Sequence, residues 1–188
     1  RRDEVGAWRC PSLDRARTEL LTDVYWGDLD DLLLDLPPGT GDVAMSLGQK
    51  IPTSEVLVVT TPQSAASEVA ERAGTMAHIM EQKVLGVVEN MSWLETRCPH
   101  CDQPHRIELF GAGGGTLVAE ALTDRVVYDV PLLAQIPFDE VLLAGGDRGT
   151  PIVETNPDHP SAQALTALAA AIAERKRGLL GQRLPLHT

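Results

Sequence analysis

The chain has 188 residues, 43% of them hydrophobic, which is enough for one domain with a sizeable buried core. Its formal net charge of −11 argues against nucleic acid as the main ligand, because phosphate binding depends on Lys and Arg displacing counterions. No apolar run approaches the roughly 20 residues that span a bilayer, and we see no secretory signal pattern. Three cysteines do not form the even-numbered framework of a secreted disulfide scaffold, so we expect a soluble, cytoplasmic protein.

Helical and strand-like segments alternate along the chain. In chain order, the spacing of apolar residues predicts a helix at 11–24, a buried strand at 32–36, a strand at 55–61, a helix at 64–82, a strand at 84–89, a helix near 117–122, a short strand at 126–130, a loop at 135–138 and an Ala-rich helix at 161–177. The segments from 55 to 89 make one βαβ unit. The sequence therefore predicts an α/β layered fold with a mostly parallel sheet.

One polar stretch, Ser92 to His105, interrupts this alternation and contains two closely spaced cysteines. We interpret it as an inserted loop or a small hairpin, with the insertion extending over 92–110. The domain is expected to cover 1–178, and 179–188 to form a flexible tail. Because no strand and glycine loop precede the first apolar elements, we expect the domain to be truncated at its amino-terminal side.

Three predicted strand ends carry residues suited to binding. Ligands of open parallel sheets gather at the carboxyl ends of the strands, where Asp35, Asn90 and Pro137 fall. A carboxylate that ends a buried strand beside a glycine turn is the arrangement by which P-loop ATPases hold magnesium and sense the γ-phosphate. Taken alone, Asp35 fits equally well as an acid that caps a turn, and Asn90 fits better as a turn residue at a strand end.

Several ordered motifs resemble the Mrp/ApbC family, an arm of the MinD-like deviant Walker P-loop ATPases. The matching segments are Tyr25-Trp26-Gly27-Asp28-Leu29-Asp30, Asp35-Leu36-Pro37-Pro38-Gly39-Thr40-Gly41-Asp42, Thr60-Thr61-Pro62-Gln63, Val88-Glu89-Asn90-Met91-Ser92, Phe110-Gly111-Ala112-Gly113-Gly114-Gly115, Gln135-Ile136-Pro137 and Gly149-Thr150-Pro151-Ile152-Val153. They extend the resemblance from about Trp8 to Ala173. The order of these motifs is far more specific than any one of them.

The resemblance implies a P-loop ATPase fold and a site for ATP with magnesium. It assigns a catalytic role to Asp35, and nucleotide contacts to Asp35, Gly39, Asn90 and Pro137, with Asn90 reading the adenine edge. The chain contains no Gly-x-x-x-x-Gly-Lys-Ser/Thr loop, and the glycine cluster at 111–115 has no lysine after it. We therefore interpret that cluster as a flexible turn opening a helix, and expect the nucleotide site in this chain to be incomplete.

The pair Cys98-Pro99-His100-Cys101 is the other chemical feature. Two thiolates can grip one soft metal or cluster, and they are half of a four-thiolate set that a two-fold dimer would complete. A zinc-bridged dimer, with His100 or His105 as further candidate ligands, remains an alternative, since the same thiolates suit zinc. A thioredoxin-like dithiol is a second alternative, although Pro104 falls where the second turn of the required helix would form.

The resemblance implies an ATP-dependent carrier in which a homodimer holds a four-iron, four-sulfur cluster on Cys98 and Cys101 and transfers it to apo iron–sulfur proteins. The alternative function is a MinD-like positioning ATPase that binds a membrane or a partner protein, since Arg175, Lys176 and Arg177 precede two leucines. We also expect interior strands of the truncated sheet to expose unpaired edges, which would leave the chain marginally stable or prone to aggregate.

Overall fold

The computed structural model describes residues 19–37 and 42–175. Its elements in chain order are α1 (Asp42–Lys50), β1 (Glu55–Thr60), α2 (Ser64–Ile79), β2 (Lys83–Arg97), β3 (Pro104–Ile107), α3 (Gly114–Arg125), β4 (Leu132–Phe138), α4 (Glu140–Arg148), α5 (Ile152–Thr155) and α6 (Pro160–Ala173). Residues 19–22 are helical, and the rest of the helix predicted at 11–24 is almost wholly outside the described residues. The predicted tail at 179–188 also lies outside them. Among these elements, no helix is both long and apolar enough to cross a membrane.

The sheet in the described ranges has four strands arranged around β2. Strands β1 and β4 both pair with β2 in parallel, whereas β3 pairs with its distal end in an antiparallel sense. The α/β expectation with a mostly parallel sheet is therefore confirmed, and so is the βαβ unit of β1, α2 and β2. At 15 residues, β2 is more than twice as long as the strand predicted at 84–89.

The main core lies between the sheet and the helices α2 and α3. These helices place small and branched side chains, among them Ala70, Ala77, Val118 and Leu122, against the valines of β1 and β2. Leu122 and Val87 are fully buried. Burial of each such valine or leucine side chain contributes about 1.5–3 kcal/mol to folding.

The strand predicted at 32–36 is wrong. Residues 31–37 have no regular structure, and Leu33 is 82% exposed. A strand buried on both faces needs neighbours on its edges, and in the described ranges the outer edge of β1 has no strand paired to it. The segment is instead fixed near Asp31, whose carboxylate accepts a bond of 2.8 Å from Arg175 Nη2, while Arg175 Nε donates to Glu55 at 2.6 Å.

The strand predicted at 126–130 is also wrong. Val126 and Val130 are buried and Val127 is 99% exposed. This alternation is typical of a strand, but the segment 126–130 forms no strand pairing. Two side chains bind the backbone here: Thr123 Oγ1 accepts the N–H of Val130, and the Tyr128 hydroxyl accepts the N–H of Val84, each at 2.9 Å. The real strand is β4, which includes the predicted loop at 135–138.

The amino-terminal end of α3 packs directly on the sheet, so the cluster at 111–115 opens a helix as predicted but is not a free turn. A Cβ atom at Gly114 would lie 2.6 Å from the carbonyl oxygen of Pro62, and one at Gly115 would lie 2.7 Å from Cβ of Glu89. Both contacts are shorter than real Cβ contacts. Only glycine therefore allows α3 to approach the loop after β1 and the middle of β2 this closely.

A buried carboxylate occupies this helix terminus. Glu89 is 1% exposed; its Oε2 accepts the N–H of Gly115 at 2.6 Å, and its Oε1 accepts Nε2 of Gln135 at 2.8 Å. The unpaired amides and the dipole at a helix amino terminus favour an anion. The glycine-rich terminus that most resembles a phosphate loop is thus filled by the chain's own side chain, which ties β2, α3 and β4 together.

We predict that Glu89→Ala lowers the free energy of unfolding by about 1–3 kcal/mol, because it leaves the buried amide of Gly115 and the part-buried side-chain amide of Gln135 without an acceptor. Glu89→Gln should also destabilise the fold, since its amide group would face one of those donors. Urea unfolding followed by circular dichroism measures both changes. The control is Glu120→Gln, on the exposed face of α3, which should change the free energy by less than about 0.5 kcal/mol. Equal stabilities of the Glu89 and Glu120 variants would contradict the assignment.

Candidate functional site

The polar stretch that interrupts the predicted alternation forms a β-hairpin, the second of the two structures considered for it. Leu94, Glu95, Thr96 and Arg97 of β2 pair with Ile107, Arg106, His105 and Pro104 of β3. At the base of the hairpin, the Arg106 guanidinium lies 4.2 Å from the centre of the Trp93 ring and its Nε lies 3.6 Å from Glu95. Since β2 is continuous, the sheet carries this hairpin directly.

The two cysteines lie in the turn of this hairpin. The N–H of Cys98 donates to the carbonyl of Gln103, and the N–H of Asp102 donates to the carbonyl of Cys98, each at 2.9 Å. Asp102 adopts a φ of 53°, the left-handed conformation that Asp tolerates better than most residues. Cys98 is half-buried, Cys101 is exposed, and both thiols are free. The turn therefore presents two thiols at one end of a rigid strand.

Backbone amides in the turn lower the pKa of the Cys98 thiol below its usual value of 9.0. The N–H of His100 is the largest cause, followed by the N–H of Cys101 and the Cys101 side chain, and together they exceed the opposing effect of burial. Hydrogen bonds to the charged form stabilise a thiolate. Since the thiolate is the form that binds metal, the local backbone favours metal binding at Cys98.

The structure also bears on the alternatives for the cysteine pair. Within the described ranges, no group of three or more His, Cys, Asp and Glu side chains is arranged to hold a metal ion, and His100 and His105 are both exposed. The turn leads into β3 rather than into a helix, unlike the dithiol motifs of thioredoxin-like oxidants. The described part of one chain thus offers two thiol ligands.

Two of the predicted nucleotide residues meet in the sheet. Asn90 lies opposite Ile136 in the pairing of β2 with β4, and the adjacent Pro137 is buried. Asn90 is half-buried, its Oδ1 accepts the N–H of Met91 at 2.9 Å, and Met91 has a φ of 56°. The strand does not end at Asn90 as predicted. It is distorted there instead, because the register with β4 shifts between Asn90 and Leu94.

The other two predicted nucleotide residues are not brought to this place. Asp35 is exposed in a segment without regular structure, and no hydrogen bond or ion pair in the described ranges joins it to Asn90 or Pro137. Gly39 lies outside the described residues. The convergence of three strand ends is therefore reduced to Asn90 and Pro137, and the roles of Asp35 and Gly39 stay predictions.

A hydrogen-bond network around Asp139, which the sequence patterns above did not predict, fixes the segment after Pro137. Asp139 Oδ1 accepts the N–H groups of Val141 and Leu142 at 2.7 and 3.1 Å, which caps α4. Its Oδ2 accepts the Ser161 hydroxyl at 3.1 Å and lies 3.3 Å from His159 Nε2. One carboxylate thus joins the end of β4 to the starts of α4 and α6. The sequence feature that could have revealed this cap is an Asp immediately before a helical stretch.

We predict that alkylation of Cys98 has its pH midpoint lower in the folded chain than in the urea-unfolded chain. The sign follows from the depressed pKa, because a larger thiolate fraction at a given pH speeds the reaction. Iodoacetamide labelling across a pH series, with Cys98 quantified by peptide mass spectrometry, measures this. The unfolded chain is the internal control. A folded midpoint equal to or above the unfolded midpoint would contradict the amide geometry.

Curated proteins of several bacteria are similar in sequence to this chain. Proteins named iron-sulfur cluster carrier protein are 54% identical over 179 residues in Mycobacterium bovis and 42% identical over 172 residues in Synechocystis, covering 95% and 91% of this chain. The chain spans 46% of the length of each of these relatives.

Solved structures show the same fold. A nucleotide-binding protein from Archaeoglobus fulgidus in complex with ADP is 37% identical with a TM-score of 0.60, over 78% of this chain and 56% of that one. MinD from Pyrococcus horikoshii, complexed with Mg-ADP, is 26% identical with a TM-score of 0.58, over 90% of this chain and 57% of that one.

A family model agrees with these relatives and with the resemblance carried by the motifs, which is thereby confirmed. The model matches residues 1–173. The chain belongs to the ParA family of P-loop NTPases, in the group described as NUBPL iron-transfer P-loop NTPases.

Proposed function

We propose that the chain is part of an iron–sulfur cluster carrier, in which Cys98 and Cys101 of two copies hold one cluster for delivery to apo-proteins. The observation that carries the proposal is the pair of free thiols in the hairpin turn, where backbone amides lower the pKa of Cys98. Clusters are bound by thiolates, and hydrogen bonds to sulfur stabilise the ligated state. The cluster is the cargo of this protein.

The number of ligands supports a shared site. A four-iron, four-sulfur cluster takes four thiolates, and the described part of one chain offers two in one place. A two-fold axis through the hairpin turns would set the two copies of Cys98 and Cys101 against each other, because isologous contacts are self-complementary. The exposure of Cys101 would leave the cluster open to the thiolates of an acceptor.

The names of the relatives support the same role. The proteins of Mycobacterium bovis and Synechocystis that are 54% and 42% identical to this chain over the aligned residues are named iron-sulfur cluster carrier protein. Because the chain spans less than half of their length, the carrier activity, the cytoplasmic location and the homodimer remain parts of the proposal. Recipients would be apo iron–sulfur proteins, which supply the second set of ligands.

Nucleotide would regulate the carrier. We propose that Asn90 and Pro137 contact the base, and that Asp35 and Gly39 act as the switch facing magnesium and the γ-phosphate. The pairing of Asn90 beside Pro137 supports the first part, and the ADP and Mg-ADP complexes of similar proteins support the second. Ordering of a switch segment by γ-phosphate contacts could time cluster release.

We predict that anaerobic reconstitution with iron and sulfide gives the chain a labile cluster at about one per two chains, with visible absorption from thiolate-bound iron. The double variant Cys98→Ala/Cys101→Ala should gain none. The matched control is Cys10→Ala, which removes the remaining cysteine and should bind the cluster as the parent does. Mixing with an apo-ferredoxin should then transfer the cluster from the parent and from the control.

Two results would contradict the proposal. One is an absorbing cluster in the double variant, which would place the ligands elsewhere. The other is a parent chain that binds zinc at one ion per two chains but gains no cluster under any reconstitution condition, which would favour the zinc-bridged dimer.

A further inference from the structure

One ion pair spans the cysteine turn. Arg97 is the last residue of β2, and its Nη1 lies 3.0 Å from Oδ2 of Asp102 and 3.2 Å from the carbonyl oxygen of the same residue. The two residues flank the Cys98-Pro99-His100-Cys101 segment on either side. A single guanidinium nitrogen thus holds both the side chain and the main chain of Asp102 beside the start of the turn.

This contact acts on a backbone that needs support. Asp102 adopts a left-handed φ of 53°, a conformation that costs a residue with a side chain more than it costs glycine. Two backbone hydrogen bonds close the turn, from the N–H of Asp102 to the carbonyl of Cys98 and from the N–H of Cys98 to the carbonyl of Gln103. The loop that they close contains His100 and Cys101, whose amides lower the pKa of Cys98. Movement of Asp102 would therefore change the position of the donors around Cys98.

We propose that Arg97 and Asp102 are positioning residues, which hold the turn in the shape that lets both thiolates face one metal centre. The inference deepens the proposed function, since it names the contact that prepares the cysteine pair before metal arrives. Neither residue is a ligand: guanidinium has no lone pair to offer, and the Asp102 carboxylate is directed at Arg97. Their effect would be exerted through the backbone of the turn.

The exposure of the pair limits the size of the effect. The side chains of Arg97 and Asp102 are 69% and 81% exposed, and exposed ion pairs contribute little to global stability. We therefore expect little change in unfolding and a local change in the turn. Partners that orient metal ligands typically matter 10–100-fold for affinity, and solvent screening should reduce this to about threefold to tenfold here.

The test uses Co²⁺ as the probe, because its thiolate complexes absorb in the visible and near-ultraviolet range. Arg97→Gln should weaken Co²⁺ binding about threefold to tenfold and speed cluster loss after reconstitution by a similar factor. Asp102→Asn, which tolerates the left-handed conformation and keeps an acceptor, should show a smaller loss. The matched control is Arg72→Gln, which breaks the pair of Arg72 with Glu68 at 3.5 Å, 71% and 69% exposed, far along the chain on α2.

Hydrogen exchange of the metal-free chain provides an independent readout. Arg97→Gln should speed exchange of the amides of residues 100–103 and leave those of α2 unchanged, whereas Arg72→Gln should leave the turn unchanged. The inference is overturned when Arg97→Gln matches Arg72→Gln in turn exchange, or when it loosens the turn without weakening Co²⁺ binding. A parent chain that binds neither Co²⁺ nor a cluster would contradict the proposed function. In that case the exchange rates still decide separately whether the ion pair orders the turn.

Discussion

The structure depends on the burial of one carboxylate in the middle of one long strand. Glu89 lies where β2 leaves the parallel sheet and continues toward the hairpin, and its two oxygens accept from the start of α3 and from β4. A buried carboxylate is costly unless its hydrogen bonds are satisfied. Here both oxygens are satisfied, so the burial fixes three elements relative to one another rather than destabilising them.

Two candidate sites follow this carboxylate along the same strand. Asn90 follows Glu89 directly and pairs opposite Ile136, while Cys98 follows the last residue of β2 at the hairpin turn. The hairpin and the loop that precedes α3 line a pocket of about 210 Å³, with Glu89, Trp93 and Arg106 among its lining residues. Asn90 and the cysteine turn therefore belong to one strand and its turn, as the proposed coupling of cluster binding to nucleotide requires.

Patterns that local chemistry determines were readable from the sequence. The βαβ unit follows from apolar periodicity, and the cysteine pair stood out as a metal-binding motif because its spacing alone brings two sulfurs together. The strand predictions that were wrong concern segments whose structure depends on residues distant in sequence. The leucines at 32–36 read as a buried strand, yet the described ranges place no strand beside them, and Val126 and Val130 are buried in a loop. The burial of Glu89 could not be predicted, because its hydrogen-bond donors, Gly115 and Gln135, are distant in sequence and no local pattern connects them to it.

We propose that two copies of this chain share one cluster through their hairpin turns. Native mass spectrometry of the anaerobically reconstituted chain tests it most directly, since it reads the number of chains and the mass of the inorganic core in the same ion. We predict a species of two chains with one four-iron, four-sulfur core, which dissociates to single chains when the cluster is removed. A single chain that carries a complete cluster, or a dimer that forms equally well with no cluster, would contradict it.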